Sequence, residues 1–340
     1  SGVPVFRIPT RPRKTGGALP LILSYSTFVL NGLRFFRKEA QKDRYDAILV
    51  FGASPITAAI PAIYLKFRLK SHLAIWVQDL WPQSVEATGF TKNRFVLRGI
   101  GLLVRLIYYF SDTLLVQSKA FVEPVSEYCD KEKVLFYANS CEVSDLSRAG
   151  ELPRSLHNLL TTYFCVTFAG NIGKAQSVET IIRAAAELKH NHMFRLIFVG
   201  NGSSLQEAKN IAAALSATNV VFHKRIDSTL MPQLFALSEG LLVSLNGHSV
   251  FRHTVPSKVQ AYMAAGRPIV ASIDGEAARV IGEAKAGLVS NAGDSRGLAV
   301  SFDKLIKMPL SARRELGAAG KKYFGRHYDS AQQAKKLVEL

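Results

Sequence analysis

From Asp46 onward, short apolar runs alternate with stretches of helical character, and this alternation restricts the chain to a narrow set of folds. A strand that passes through a helix before the next strand pairs beside it builds βαβ units, so the repeat predicts an α/β protein with parallel sheets. Ten runs read as strands. In the first half they are Asp46 to Phe51, Leu73 to Val77, Thr113 to Val116 and Val134 to Tyr137. In the second they are Phe164 to Ala169, Phe194 to Val199, Val220 to His223, Leu241 to Leu245, Pro268 to Ser272 and Gly287 to Val289. Between the sets, Glu142 to Asn158 is polar and mixed, with Gly150 and Pro153, and reads as a linker. The 340 residues leave room for two domains with separate cores, expected at 1–145 and 161–325, joined by 146–160 and followed by a helix at 326–340. The second set makes a complete doubly wound sheet. The first is short of one, so its N-terminal strand is expected to be missing and the chain, starting at Ser1, to be a fragment or processed product.

Composition narrows the class. Hydrophobic residues at 48% and charged residues at 20% describe a folded protein. The three cysteines, Cys129, Cys141 and Cys165, have neither CxxC nor Cys/His spacing, and their odd number argues against a disulfide framework, so a reducing compartment and no metal centre are expected. No apolar run reaches the ~20 residues that span a bilayer. Arg98 and Arg105 interrupt the most hydrophobic candidate, Leu97 to Phe110. The formal charge of +17 is concentrated near the N-terminus: residues 1–110 hold 16 Lys/Arg against 5 Asp/Glu, and residues 111–340 hold 27 against 21. Basic residues there alternate with apolar ones in Arg11-Pro-Arg-Lys14, in Leu21 to Phe36 with Arg37-Lys38, and in Tyr64 to Lys70. Such helices lie on anionic lipid with their basic stems snorkelling from the apolar face. Nucleic acid is attracted by the same charge, but no recognition-helix, zinc-finger or RNP-type motif is present, so an anionic membrane surface is preferred and no nucleic acid is expected.

Residues that carry chemistry follow the strands. Phe168-Ala-Gly170-Asn171-Ile-Gly173-Lys-Ala-Gln176-Ser177 runs into a helix expected at Val178 to Leu188. Glycine lets backbone approach a ligand while helix-terminal amides point at it. Gly200-Asn201-Gly-Ser-Ser204 follows the next strand, with Ser204 and Glu207 spaced as a capping box. Asn246-Gly-His-Ser249 and Thr254-Val-Pro-Ser257-Lys258 follow the strand at Leu241 to Leu245. Ser257 is expected to cap the next helix and Lys258 to sit in its first turn, where a lysine opposes the helix dipole unless an anion is bound. Asp274-Gly275-Glu276-Ala277 follows Ser272. Each turn alone also suits an ordinary α/β connection with a solvated lysine. Together they occupy the carboxyl ends of adjacent strands, and the joint reading is a phosphorylated-nucleotide site.

Four segments taken together, Val77-Gln-Asp79-Leu-Trp81-Pro-Gln-Ser84, residues 168–176, Val255-Pro-Ser-Lys258 through Met263-Ala-Ala-Gly266-Arg-Pro-Ile269, and Gly275-Glu276, resemble the retaining GT-B glycosyltransferases of family 4. The similarity is to the bacterial O-antigen, capsule or fucosamine-type branch, and it runs from about Val3 to the C-terminus. It implies two Rossmann-like domains facing across a cleft, the second binding a UDP-sugar and the basic, membrane-facing first an acceptor, with the C-terminal helix packing back on the first. It also implies transfer of a hexosyl or N-acetylhexosaminyl group, with retention, to a lipid-linked or polysaccharide-precursor acceptor. The expected location is cytoplasmic, peripheral on the inner face of the bacterial membrane, without cofactor or metal. Gly170, Asn171, Gly173, Gln176, Gly200, Asn201, Arg252, His253, Ser257, Lys258, Gly275 and Glu276 are the expected donor-side residues, Trp81 lies on the acceptor side and Asp79 is catalytic.

The chain departs from that family at definite points. Where many members carry a Glu-x7-Glu pair it has His253 and Ala261, and where an arginine and a lysine grip the donor diphosphate it has Asn171 and Gln176. The fucosamine-type branch shares the second departure, which leaves Lys258, helped by Arg252, to supply the positive charge. Asp79 fits a carboxylate that orients or deprotonates the acceptor hydroxyl, or a cap of the next turn. Trp81 fits stacking on a sugar or prenyl chain, or a core role. His253 fits a donor contact, and Glu276 either accepts from donor hydroxyls or caps its helix. Two other readings stay open: a UDP-N-acetylhexosamine 2-epimerase-like enzyme on the same scaffold, and an inactive membrane-associated GT-B scaffold.

Overall fold

Each of the ten apolar runs forms a strand, most shifted by a residue or two at an end. The computed structural model describes residues 2–12, 18–40, 44–87, 90–141 and 150–340. Arg13 and Lys14 of the first basic run, and residues 142–149 of the expected linker, lie outside the described residues. The chain divides into two units, Ser1–Tyr137 and Ala138–Leu340.

The first unit runs α1 (Ala18–Glu39), β1 (Ala47–Gly52), α2 (Ile60–Leu69), β2 (His72–Val77), α3 (Gln83–Ala87), α4 (Arg94–Tyr109), β3 (Thr113–Val116), α5 (Val122–Ser126) and β4 (Val134–Phe136). Its four strands are parallel in the order β1-β2-β3-β4, with Gly52 opposite Val77. Side chains alternate between the faces of a strand. Ile75, Val77, Leu114, Val116 and Val134 therefore meet Val104, Ile107 and Tyr108 of α4 in one core. The opposite face is less covered, since Leu49 and Phe51 of β1 remain 44% and 60% exposed although parallel sheets are ordinarily buried on both sides. α4 starts where the Asn93 side chain accepts from the Phe95 and Val96 amides at 2.9 and 3.4 Å.

The second unit runs α6 (Arg154–Thr162), β5 (Phe164–Asn171), α7 (Val178–Glu187), β6 (Phe194–Asn201), α8 (Leu205–Ala214), β7 (Val220–His223), α9 (Met231–Leu237), β8 (Gly240–Ser244), α10 (Ser257–Ala264), β9 (Ile269–Ser272), α11 (Gly275–Glu283), β10 (Gly287–Ser290), α12 (Ser295–Lys307), α13 (Leu310–His327) and α14 (Ser330–Glu339). All six strands are parallel in the order β10-β9-β8-β5-β6-β7. Strand order reverses between β5 and β8, which puts the ligand crevice of a doubly wound sheet at their carboxyl ends. Val166 and Phe168 of β5 enter the core beside α7 and α12, while Cys165 and Ala169 enter the one beside α6 and α9, so both faces are buried.

Residues 154–158, read as linker, instead form the first half of α6. The mixed polarity there is the outer face of an amphipathic helix whose Leu156 and Leu160 are buried. The final helix, α14, is counted with the second unit, where Asp329 accepts from the Ala331 and Gln332 amides.

Candidate functional site

The carboxyl ends of β5 and β6 are drawn together by glycine. Gly170 has φ +126° and Gly200 φ +157°, and a Cβ added at Gly200 would stand 1.9 Å from the Gly170 carbonyl oxygen. No side chain fits between the two strand ends, so the backbone itself forms that part of the rim. Past Gly170 the loop folds on itself: the Gln176 carboxamide oxygen accepts from the Gly173 amide at 3.0 Å. The Asn246 amide, just after β8, donates to the Ala175 carbonyl at 2.8 Å and ties the two switch-point loops together. Asn171 and Asn201 end their strands as paired neighbours.

Lys258 reaches over this rim from α10. Its Nζ lies 3.6 Å from the centroid of the Phe168 ring, and its Cε would be 3.0 Å from a Cβ at Gly170. Burial pulls the ammonium down to about 8, with no carboxylate among the described residues to hold it up. Ser257 does not cap the helix as expected. The structure starts α10 at Ser257 itself, the preceding Pro256 makes no side-chain cap, and the Val259 amide donates to the Pro256 carbonyl at 2.9 Å, so no side chain caps the helix start. The Ser204–Glu207 capping box is likewise absent, since Ser204 precedes α8 without a side-chain cap bond.

Two residues that set this geometry carried no sequence signal. The buried Tyr262 hydroxyl accepts from the Ala169 amide at 3.3 Å and pins α10 to the end of β5, and burial pushes its phenol up. Gln260, also buried, donates to the Asn139 carbonyl at 3.0 Å. Both occupy positions that read as the apolar face of a short helix, where a tyrosine or glutamine looks like filler.

The remaining donor-side residues are arranged less simply. Arg252 is exposed and stands 3.5 Å from Asp274 Oδ2, a loose pairing that leaves the guanidinium mostly in solvent. His253 ends the short 3₁₀ turn Ser249–His253 and is half-buried. Gly275 begins α11 against the Arg252 carbonyl. Glu276 is buried with both carboxylate oxygens on Arg279, at 2.8 and 2.9 Å. That engagement holds the Arg279 guanidinium above its ordinary range, and Glu276 is turned along its own helix.

In the first unit, Asp79 and Trp81 meet at the carboxyl end of β2 through a residue the sequence did not single out. Ser54 donates to Asp79 Oδ2 from its amide at 3.2 Å and from its hydroxyl at 2.8 Å, and Trp81 Nε1 donates to Ser54 Oγ at 3.1 Å. The Gln117 carboxamide donates to the Gln78 carbonyl at 2.6 Å and secures the neighbouring strand end. Among the described residues, no three of His, Cys, Asp and Glu gather into a metal-binding group.

A rim of tight glycine turns with an unpaired, half-buried lysine above it has the chemistry of an anion site. Solved structures with the same architecture include Anabaena HepE (Alr3699) in complex with UDP, at 14% identity and a TM-score of 0.73, covering 95% of this chain and 83% of that one. A glycosyltransferase from Rickettsia africae ESF-5 is similar at 14% identity and a TM-score of 0.69, over 92% and 80% of the two chains. An alpha,alpha-trehalose-phosphate synthase (UDP-forming) from Burkholderia vietnamiensis is similar at 14% identity and 0.68, over 93% and 79%. The fold is thus the α/β arrangement of two parallel-sheet Rossmann-like domains that GT-B enzymes share. No curated protein matches the sequence. The profile of the family described as "Glycosyl transferases group 1" matches residues 154–323, half of the 340 residues, and the chain belongs to that family.

Proposed function

We propose that this group 1 glycosyltransferase moves a hexosyl or N-acetylhexosaminyl group from a UDP-sugar to a lipid-linked or polysaccharide-precursor acceptor, with retention, as a member of family 4 in its bacterial O-antigen or capsule branch. Residues 161–325 bind the donor and residues 1–145 serve the acceptor. The observation that carries the reading is Lys258, a half-buried ammonium over Phe168 and Gly170 with no carboxylate partner among the described residues. The HepE structures hold UDP, UDP with glucose, and UDP-glucose, which is the ligand class such a site suits. As the glycosidic bond breaks, negative charge grows on the departing diphosphate, and a fixed ammonium with helix-start amides stabilises that charge most in the transition state. Asp79 orients or deprotonates the acceptor hydroxyl. Arg252 is available to swing from its loose contact with Asp274 onto the phosphates.

Calorimetric titration with UDP tests the donor site through its pH dependence. The ammonium is the form that binds a diphosphate, and it is lost as pH rises past about 8. UDP affinity therefore stays level near pH 7 and falls roughly 10-fold or more by pH 9.5, with proton uptake on binding near pH 8.5. Affinity that does not change between pH 7 and 9.5 would falsify the assignment.

The acceptor side faces lipid in this reading. Phe95, Leu102, Leu106 and Tyr109 form one exposed apolar stripe along α4, flanked by exposed Arg98 and Arg105, while no helix among the described residues is long and apolar enough to cross a membrane. The full chain should float with phosphatidylglycerol vesicles and be released by salt, at about 1 kcal/mol per engaged basic residue. Leu102→Glu with Leu106→Glu should abolish flotation without unfolding the protein. Equal flotation with neutral phosphatidylcholine vesicles, or none with either, rejects the membrane assignment.

A further inference from the structure

We infer that Ser54 is a positioning residue for Asp79, held in its role by Trp81. The inference rests on the reading that Asp79 engages the acceptor hydroxyl.

Direction in this chain of hydrogen bonds is fixed by chemistry. The indole Nε1–H of Trp81 only donates, so at 3.1 Å it makes Ser54 Oγ an acceptor. The one hydroxyl proton of Ser54 is then directed at Asp79 Oδ2, 2.8 Å away, where the Ser54 amide also donates at 3.2 Å. Two donors thus converge on one carboxylate oxygen. Among the described residues none donates to Asp79 Oδ1. A carboxylate tethered by one oxygen in this way cannot rotate freely, and its second oxygen keeps its capacity to accept a proton or a hydroxyl hydrogen bond.

The strands place the three residues together. Gly52 of β1 pairs with Val77 of β2, and Ser54 and Asp79 each lie two residues farther on, so the register that aligns the strands also aligns the loop serine with the carboxylate. Trp81 is two residues beyond Asp79 and folds back to Ser54. Ser54 is exposed and Asp79 and Trp81 are half-buried, with the Trp81 ring packed against the first-unit core, so a core-anchored indole carries the hydrogen bond out to the serine at the strand ends. A serine needed only for packing would not require both of its donors on the same oxygen.

The test has a spectroscopic arm and a kinetic arm. The chain has two tryptophans, so a 15N-labelled sample gives two indole N–H signals, assigned with Trp76→Phe. Asp79→Asn should move the Trp81 signal, and the same substitution in a Ser54→Ala background should no longer move it. An unmoved Trp81 signal overturns the relay whatever the activity. For kinetics, UDP release is followed from UDP-glucose and UDP-N-acetylglucosamine with lipid-linked saccharides extracted from bacterial membranes. Ser54→Ala should lower kcat about 10-fold at unchanged KM for the sugar nucleotide, the scale of a lost hydrogen bond to a charged group. Ser54→Thr, which keeps the hydroxyl, should restore most of it, and Ser54→Ala should add nothing to Asp79→Asn. If Asp79→Asn lowers turnover and Ser54→Ala does not, the positioning role falls while the acceptor reading stands. If Asp79→Asn itself leaves turnover intact, the acceptor reading fails and the role of Ser54 in catalysis fails with it.

Discussion

Replacing Asp79 by asparagine is expected to lower turnover about 100-fold or more, the scale of a lost general base, while leaving the melting temperature and UDP affinity where they were. The substitution is close to isosteric. An asparagine carbonyl oxygen still accepts from the Ser54 amide and hydroxyl that now hold Asp79 Oδ2, so the loop geometry survives and only the charge is removed. Affinity for UDP is preserved because the proposed nucleotide site is built from the second unit, around Gly170, Gly200 and Lys258. Steady-state kinetics, scanning calorimetry and a UDP titration on one preparation separate the outcomes. A lowered melting temperature with unchanged turnover of the folded fraction would make Asp79 a structural tie for Ser54 and remove it from the chemistry.

The second large effect is at Lys258. Lys258→Ala should weaken binding of UDP-sugar and UDP by roughly 10- to 100-fold, from a lost charge-assisted contact of about 1.5–3 kcal/mol, and leave uridine binding unchanged. Lys258→Met should do the same while keeping the stem against Phe168 and Gly170, which excludes a collapse of the rim as the cause. Stability should move the other way. The folded protein holds this lysine at about 8, below its ordinary 10.5, so the unfolded chain binds more protons between those values and stability contributed here rises with pH across that window. Below it the buried charge is a cost. Removing the charge should therefore leave the ligand-free protein at pH 7 as stable as before or more so. Equal weakening of uridine and UDP would place the lysine away from the diphosphate.

Much of the architecture was legible in the sequence because its signals are local. Ten apolar runs at strand length, separated by amphipathic stretches, specify β and α segments through side-chain periodicity alone, and all ten are strands. The glycines at 170 and 200 could be placed at strand ends for the same reason, since a tight turn after a strand is written in adjacent residues. Caps were less legible. Ser257 and Ser204 have the right identity and spacing, but capping depends on backbone angles at a single residue, and the neighbouring Pro256 and the turn before Leu205 set those differently. The polar half of α6 misled for a related reason, because its two buried leucines gain their meaning only from the core beside β5.

What the sequence by itself determined is the order and type of the elements and the residue types available at the strand ends, all properties of short windows. Only the tertiary structure decided which of those residues meet. Strand order brings β5 beside β8 although β6, β7 and their helices intervene in the chain, and that reversal is what sets Lys258 over Phe168 and Gly170. Parallel pairing of β1 with β2 sets Ser54 on Asp79 across 25 residues. Tyr262 is brought to Ala169 by packing that no local pattern encodes. The physical reason is the same in each case: a hydrogen bond or a buried charge depends on distances of a few ångströms between chain-distant atoms, and those distances are fixed by how sheets and helices pack, whereas periodicity reports only which way each side chain faces.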